Sequence, residues 1–104
     1  MNIKRQKTES LMKCLASDFI QSESSGASLI TVTSVRVREN LRSVKILVSV
    51  FPEEKEEEAI AFLKRKRGAM REYVKRKSRL RFIPHIDFAI DGGEKNRQAL
   101  ESLV

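Results

Sequence analysis

The sequence predicts an α+β domain in which a three-stranded sheet is covered by helices. Two β-branched runs, LITVTSVRV and VKILVSVF, stand close enough together to pair, and a third apolar run, FIPHIDFAI, lies far downstream. Around these lie segments with helical spacing of their apolar residues. One of them, Lys64 to Arg81, holds ten Lys or Arg residues against a single acid, Glu72. The order predicted is helix, strand, strand, helix, bent helix, strand, helix.

The first helix is read from Lys4 to about Gln21. Leu11, Met12, Leu15 and Phe19 share one stripe, with Thr8 and Ala16 beside it and Lys13 and Ser17 opposite. Cys14 falls off the stripe, and as the single cysteine it supports neither an internal disulfide nor a cysteine zinc cluster. Periodicity is lost over Ser22 to Ser28 (SESSGAS), which reads as a loop.

Leu29 to Val37 forms the first strand, with apolar residues on both faces, so alternation does not settle its register. In the second strand Val44, Ile46, Val48 and Val50 share a face, and RENLRS is the hairpin connection between the two. Pro52 ends this strand and opens a helix, where its missing N–H is not needed. The glutamates of EEKEEE (residues 53–58) then sit at the positive end of that helix.

As one straight helix, residues 59–77 would place Ala59, Leu63, Met70, Tyr73 and Val74 on an apolar face and Lys64, Arg67, Arg71 and Lys75 on a basic one. Lys66 and Lys77 would land on the apolar side. Either these lysines snorkel or the helix bends, and a bend at or next to Gly68 is the expectation, since interior glycine costs about 1 kcal/mol against alanine. The third strand is read as carrying Leu80, Phe82, Ile86, Phe88 and Ile90 on one face. Pro84 places it at a sheet edge or at a bulge. Asp91-Gly92-Gly93 reads as a turn, and Glu94 to Leu103 as a short final helix.

With 104 residues and 40% apolar content, a single domain over residues 1–104 with a packed core is expected. The net charge is +7, and it is segregated: residues 53–58 carry −4 and residues 64–81 carry +9. Such a surface favours anionic partners, nucleic acid first. The basic N-terminus has no apolar run behind it, and no window approaches the roughly 20 apolar residues of a membrane span. A soluble protein in a reducing, cytoplasmic setting is the expectation, with no membrane partner.

No catalytic constellation is visible. His85 has no second histidine with which to hold a metal, Asp87 and Asp91 at i and i+4 are too common a pair to assign, and there is no Gly-rich phosphate loop or nucleophile elbow. No enzyme activity, cofactor, metal or small-molecule substrate is expected. The candidate RNA-binding residues are Lys64, Arg65, Arg67, Gly68, Arg71, Lys75, Arg76, Arg79 and Arg81. The lysines and arginines at helical spacing can track phosphates, and Gly68 would allow a close backbone approach. Exposed aromatics look scarce, because most of the five Phe fall on core-facing positions, so recognition of shape and phosphate is expected over reading of single strands.

Three blocks then bear a family resemblance: ITVTSVRVRENLRSVKILVSVF, GAMREY from Gly68 to Tyr73, and SRLRFIPHIDFAID with Arg79-Leu80-Arg81 and Pro84. The chain resembles ribosome-binding factor A over about Lys4 to Leu103. The resemblance implies a type II KH-like domain with helix-kink-helix in place of the Gly-x-x-Gly loop. It further implies binding to the free small ribosomal subunit and its rRNA near the decoding region, help in late rRNA processing or folding, an association with cold shock, and a monomer off the ribosome. Two positions depart from the family pattern. Lys66-Arg67-Gly68 has lysine where relatives commonly have the alanine of Ala-x-Gly, and SESSGAS replaces an Asp-Pro-Arg loop. The competing readings are a free-standing KH-like RNA-binding regulator independent of the ribosome and an interaction module for an acidic protein.

Overall fold

The computed structural model describes residues 3–23, 26, 28–38 and 41–92. Helix α1 spans Ile3–Glu23 and is followed by the strands β1, Leu29–Arg38, and β2, Ser43–Phe51. A single 3-10 turn, Glu53–Lys55, leads into α2, Glu56–Arg65, which is followed by α3, Arg67–Lys77, and β3, His85–Ile90. The predicted final helix over residues 94–103 lies outside the described residues.

The three strands form one sheet in the order β1-β2-β3, with β1 antiparallel and β3 parallel to the central β2. Alternation along β2 puts Val44, Ile46, Val48 and Val50 on the buried face, as the sequence predicts. β1 cannot alternate cleanly because its register with β2 slips between Val32 and Ser34. The extra residue, Thr33, lets Val32 and Val35 both point inward although they are three apart, which explains the apolar residues on both apparent faces. The Thr33 hydroxyl donates to Asp91 Oδ2 at 2.6 Å and lies 3.1 Å from the Leu47 carbonyl.

The helices pack on the one face that carries these valines together with Ile46, Ile86 and Phe88. From α1 come Met12, Leu15, Ala16, Phe19 and Ile20, from α2 Ala59 and Leu63, and from α3 Met70 and Val74. α1 runs two residues beyond its predicted end, and the Ser22 hydroxyl donates to the Phe19 carbonyl at 2.8 Å. Cys14 is exposed, as expected of a residue off the stripe. This is the KH-like arrangement, with the pair α2 and α3 standing where a Gly-x-x-Gly loop would join two helices.

Two expectations are corrected. The helical run is interrupted at Lys66 (φ −92°, ψ 4°), two residues before Gly68. Gly68 sits in the first turn of α3 with open space where a Cβ would stand, so the glycine is not what breaks the helix. The break lets one apolar stripe face two surfaces: α2 packs on β2 and β3, whereas α3 packs on α1 and, less extensively, on β3. The third strand begins at His85, so Leu80 and Phe82 precede it and do not extend its inner face. Pro84 is buried just outside β3, which is an edge strand as predicted, and the chain enters the ladder through His85 N–H to the Arg42 carbonyl at 2.9 Å.

Candidate RNA-binding surface

The conflict posed by Lys66 and Lys77 is resolved by both devices at once. The helix breaks, and each lysine also lays its ammonium against a ring: Lys66 Nζ is 5.9 Å from the Phe62 ring centre and Lys77 Nζ is 6.0 Å from that of Tyr73. Tyr73 in turn meets Phe19 of α1, with ring centres 5.6 Å apart and planes inclined by 55°. Both lysines are thus part of the fold's own packing.

The nine predicted site residues divide into three groups. Lys64 and Arg65, in the last turn of α2, are exposed, as are Lys75 and Arg76 in the last turn of α3. Each pair complements the negative end of its helix. None of these four has an ion-pair partner among the described residues, so their charges are available to an external anion. Arg67 and Arg71 are engaged internally. Arg67 Nη1 lies 3.6 Å from Asp87 Oδ1 of β3, its Nε donates to the Lys64 carbonyl at 3.3 Å across the break, and Arg71 Nη2 donates to the Ile83 carbonyl at 3.1 Å. Gly68 lies between these arginines, exposed and without an internal packing reason.

Arg79 and Arg81 are carried elsewhere. Beyond the C-terminus of α3, they line a groove of about 490 Å³ with Lys4 and Thr8 of α1, Leu41 and Arg42 of the hairpin, and Leu80, Phe82 and Pro84. Sequence reasoning missed Lys4, Arg42 and Phe82 as members of a site. A linear pattern cannot show that the start of α1, the hairpin and the approach to β3 meet at one end of the sheet. Three of the five phenylalanines face the core as expected, with Phe19 and Phe88 buried and Phe62 packed against it. The inward placement of Phe82 needs correction: it is 68% exposed, and Phe51 is 73% exposed. Phe82 left the core because the strand that would have turned it inward does not start until His85.

His85 is exposed, and no cluster of three or more His, Cys, Asp or Glu side chains able to hold a metal occurs among the described residues. No helix among them is long and apolar enough to cross a membrane. What the described surface offers is cationic side chains on two faces, backbone exposed at Gly68, and one accessible aromatic ring beside arginines.

Comparison with known proteins identifies the family and the fold. The family model described as Ribosome-binding factor A matches residues 4–104. The ribosome-binding factor A of Natranaerobius thermophilus is 32% identical over 105 residues, covering 98% of this chain and 80% of that protein. The crystal structure of ribosome-binding factor A from Thermus thermophilus superposes with a TM-score of 0.75 at 25% identity, over 83% of this chain and 93% of that one. A homology model of the Thermus thermophilus factor, fitted into a cryo-EM map of its 30S complex, gives 0.70 at 25% identity over 80% and 90%. With residues 4–104 matched by the family model and a relative 32% identical over 98% of this chain, the chain belongs to the ribosome-binding factor A family.

Proposed function

We propose that this protein binds the free small ribosomal subunit through its rRNA and assists a late step of rRNA processing or folding, without catalysing a reaction itself. The observation that carries the reading is the cationic surface of α2 and α3, with Lys64, Arg65, Lys75 and Arg76 exposed and unpaired among the described residues. The relative fitted into a 30S complex supports the choice of partner. Arg67, Gly68 and Arg71 belong to the same surface. The two arginines are held by Asp87 and Ile83, which fixes the orientation of the α3 face, and Gly68 offers the backbone a close approach to a sugar-phosphate chain. The protein acts as a monomer off the ribosome.

A paired salt titration tests this. Each phosphate neutralised releases condensed counterions, so about four or five contacts give a slope of log affinity against log salt of about −3 to −4. Electrostatics alone treats every duplex alike, whereas a maturation factor also recognises the shape of the particle. Free small subunits are expected to bind much more tightly than naked duplex RNA at the same salt, with a similar slope. Equal affinities for the two ligands at every salt concentration would reduce the protein to a general RNA binder and reject the ribosomal reading.

A further inference from the structure

The groove at the far end of α3 from the helix break is built differently from the α2–α3 surface. Four cations, Lys4, Arg42, Arg79 and Arg81, line it, with no acid among its described lining residues. None of the four has an ion-pair partner among the described residues. Its apolar part is Leu41, Leu80 and Pro84. The hairpin is locked to the start of β3 by the His85–Arg42 backbone bond, and Leu41 is held at φ 70°. Phe82 belongs to the same lining and is 68% exposed.

An exposed phenylalanine amid four cations is not explained by packing, and phosphate tracking alone would not need it. Resting on the reading of RNA as the partner, we propose that this groove holds an unpaired nucleotide of a single-stranded RNA segment. Its base stacks on Phe82, and its flanking phosphates are taken by Arg79, Arg81, Arg42 and Lys4. The chemistry fits each part. Guanidinium groups offer forked donors that match phosphate oxygens. A flat aromatic face stacks on any base that is not already stacked inside a duplex. A volume of about 490 Å³ accommodates one nucleotide. An acidic peptide would satisfy the cations but leave the exposed ring unaccounted for. The protein then engages RNA at two places, a structured surface through α2 and α3 and a loose strand at this groove.

The test uses the full chain with a fluorescently labelled short oligouridylate and, separately, a labelled blunt RNA duplex. Phe82→Ala is expected to weaken oligouridylate binding by about 10-fold or more and to leave duplex binding unchanged, while Phe82→Trp restores the single-strand affinity. Arg79→Gln with Arg81→Gln lowers the single-strand salt slope by about 1 to 2. This second variant keeps the proposal testable if the Phe82 substitution should disturb the fold, which thermal melting would show. The proposal is overturned if the wild-type chain does not bind oligouridylate at low salt. It is equally overturned if Phe82→Ala binds oligouridylate like wild type, or if a polyglutamate peptide competes as well as the oligonucleotide. Small-subunit binding by the same Phe82 variants separates the two readings. If it persists while single-strand binding is unaffected by Phe82, the groove fails and the ribosomal function stands.

Discussion

The carboxylate of Glu23, the last residue of α1, lies 3.3 Å from the ammonium of Lys66, the residue that interrupts the helical run between α2 and α3. The contact ties the end of the first helix to the break, 43 positions along the chain. The Lys66 side chain thereby bridges two elements and lies against the Phe62 ring, 5.9 Å from its centre.

That bridge is nonetheless a weak stabiliser. Both side chains are more than a third exposed, so water screens the pair, and the ring contact sits at the surface. Lys66→Ala is expected to cost less than about 1 kcal/mol in urea unfolding. Met70→Ala, four residues on and fully buried, should cost about 2–5 kcal/mol. If Lys66→Ala were the more damaging of the two, the break would be held by its ion pair and not by the packing on either side.

Gly68 separates stability from binding. Its helical site has open space for a Cβ and no left-handed φ, so Gly68→Ala should stabilise the chain by about 0.5–1 kcal/mol. If the glycine serves a close approach to RNA, the same variant binds the small subunit more weakly despite the firmer fold. A thermal melt paired with a sedimentation assay checks both signs. A destabilised variant would show that the helix needs the glycine after all.

Glu9 performs a structural task that its half-exposed position on α1 does not announce. Its Oε2 accepts the Val37 N–H at 3.0 Å, on the side of the edge strand β1 that faces away from β2. Val37 is 1% exposed, so removing the acceptor leaves a backbone donor short of a partner. Glu9→Ala should cost about 1–3 kcal/mol. Glu9→Gln, which keeps an acceptor oxygen, should cost appreciably less. Equal losses from the two substitutions would assign the effect to the carboxylate's charge, which also lies 3.9 Å from Arg5 Nε.

Lys75 and Arg76 give a cleaner test of the basic surface than Arg71, whose bond to Ile83 mixes folding with binding. Reversing both to glutamate should weaken small-subunit binding by at least about 10-fold and flatten the salt slope. Reversing Lys7 and Lys13, exposed on α1, should have a much smaller effect. Matching losses would reduce the interaction to bulk charge.

Much of this molecule was legible in residue order. Alternation in VKILVSVF determined which face of β2 is buried, and the spacing of Met12, Leu15 and Phe19 determined the inner stripe of α1. Burial of apolar surface favours one phase at each of these sites, and no distant contact reverses it. The density of Lys and Arg between residues 64 and 81 was equally plain, and so was the need for two awkward lysines to be accommodated. Which residue breaks the helix was not, because the break serves the change from packing on the sheet to packing on α1, a relation between elements distant in sequence. The start of β3 was hidden for a similar reason: the strand begins where Arg42 offers a carbonyl, and a linear pattern cannot see that partner. That single backbone bond puts Phe82 outside the sheet beside Arg79 and Arg81. Residue order determined the charge and the core of this protein, and tertiary contact decided that its arginines are divided between a helix face and a groove.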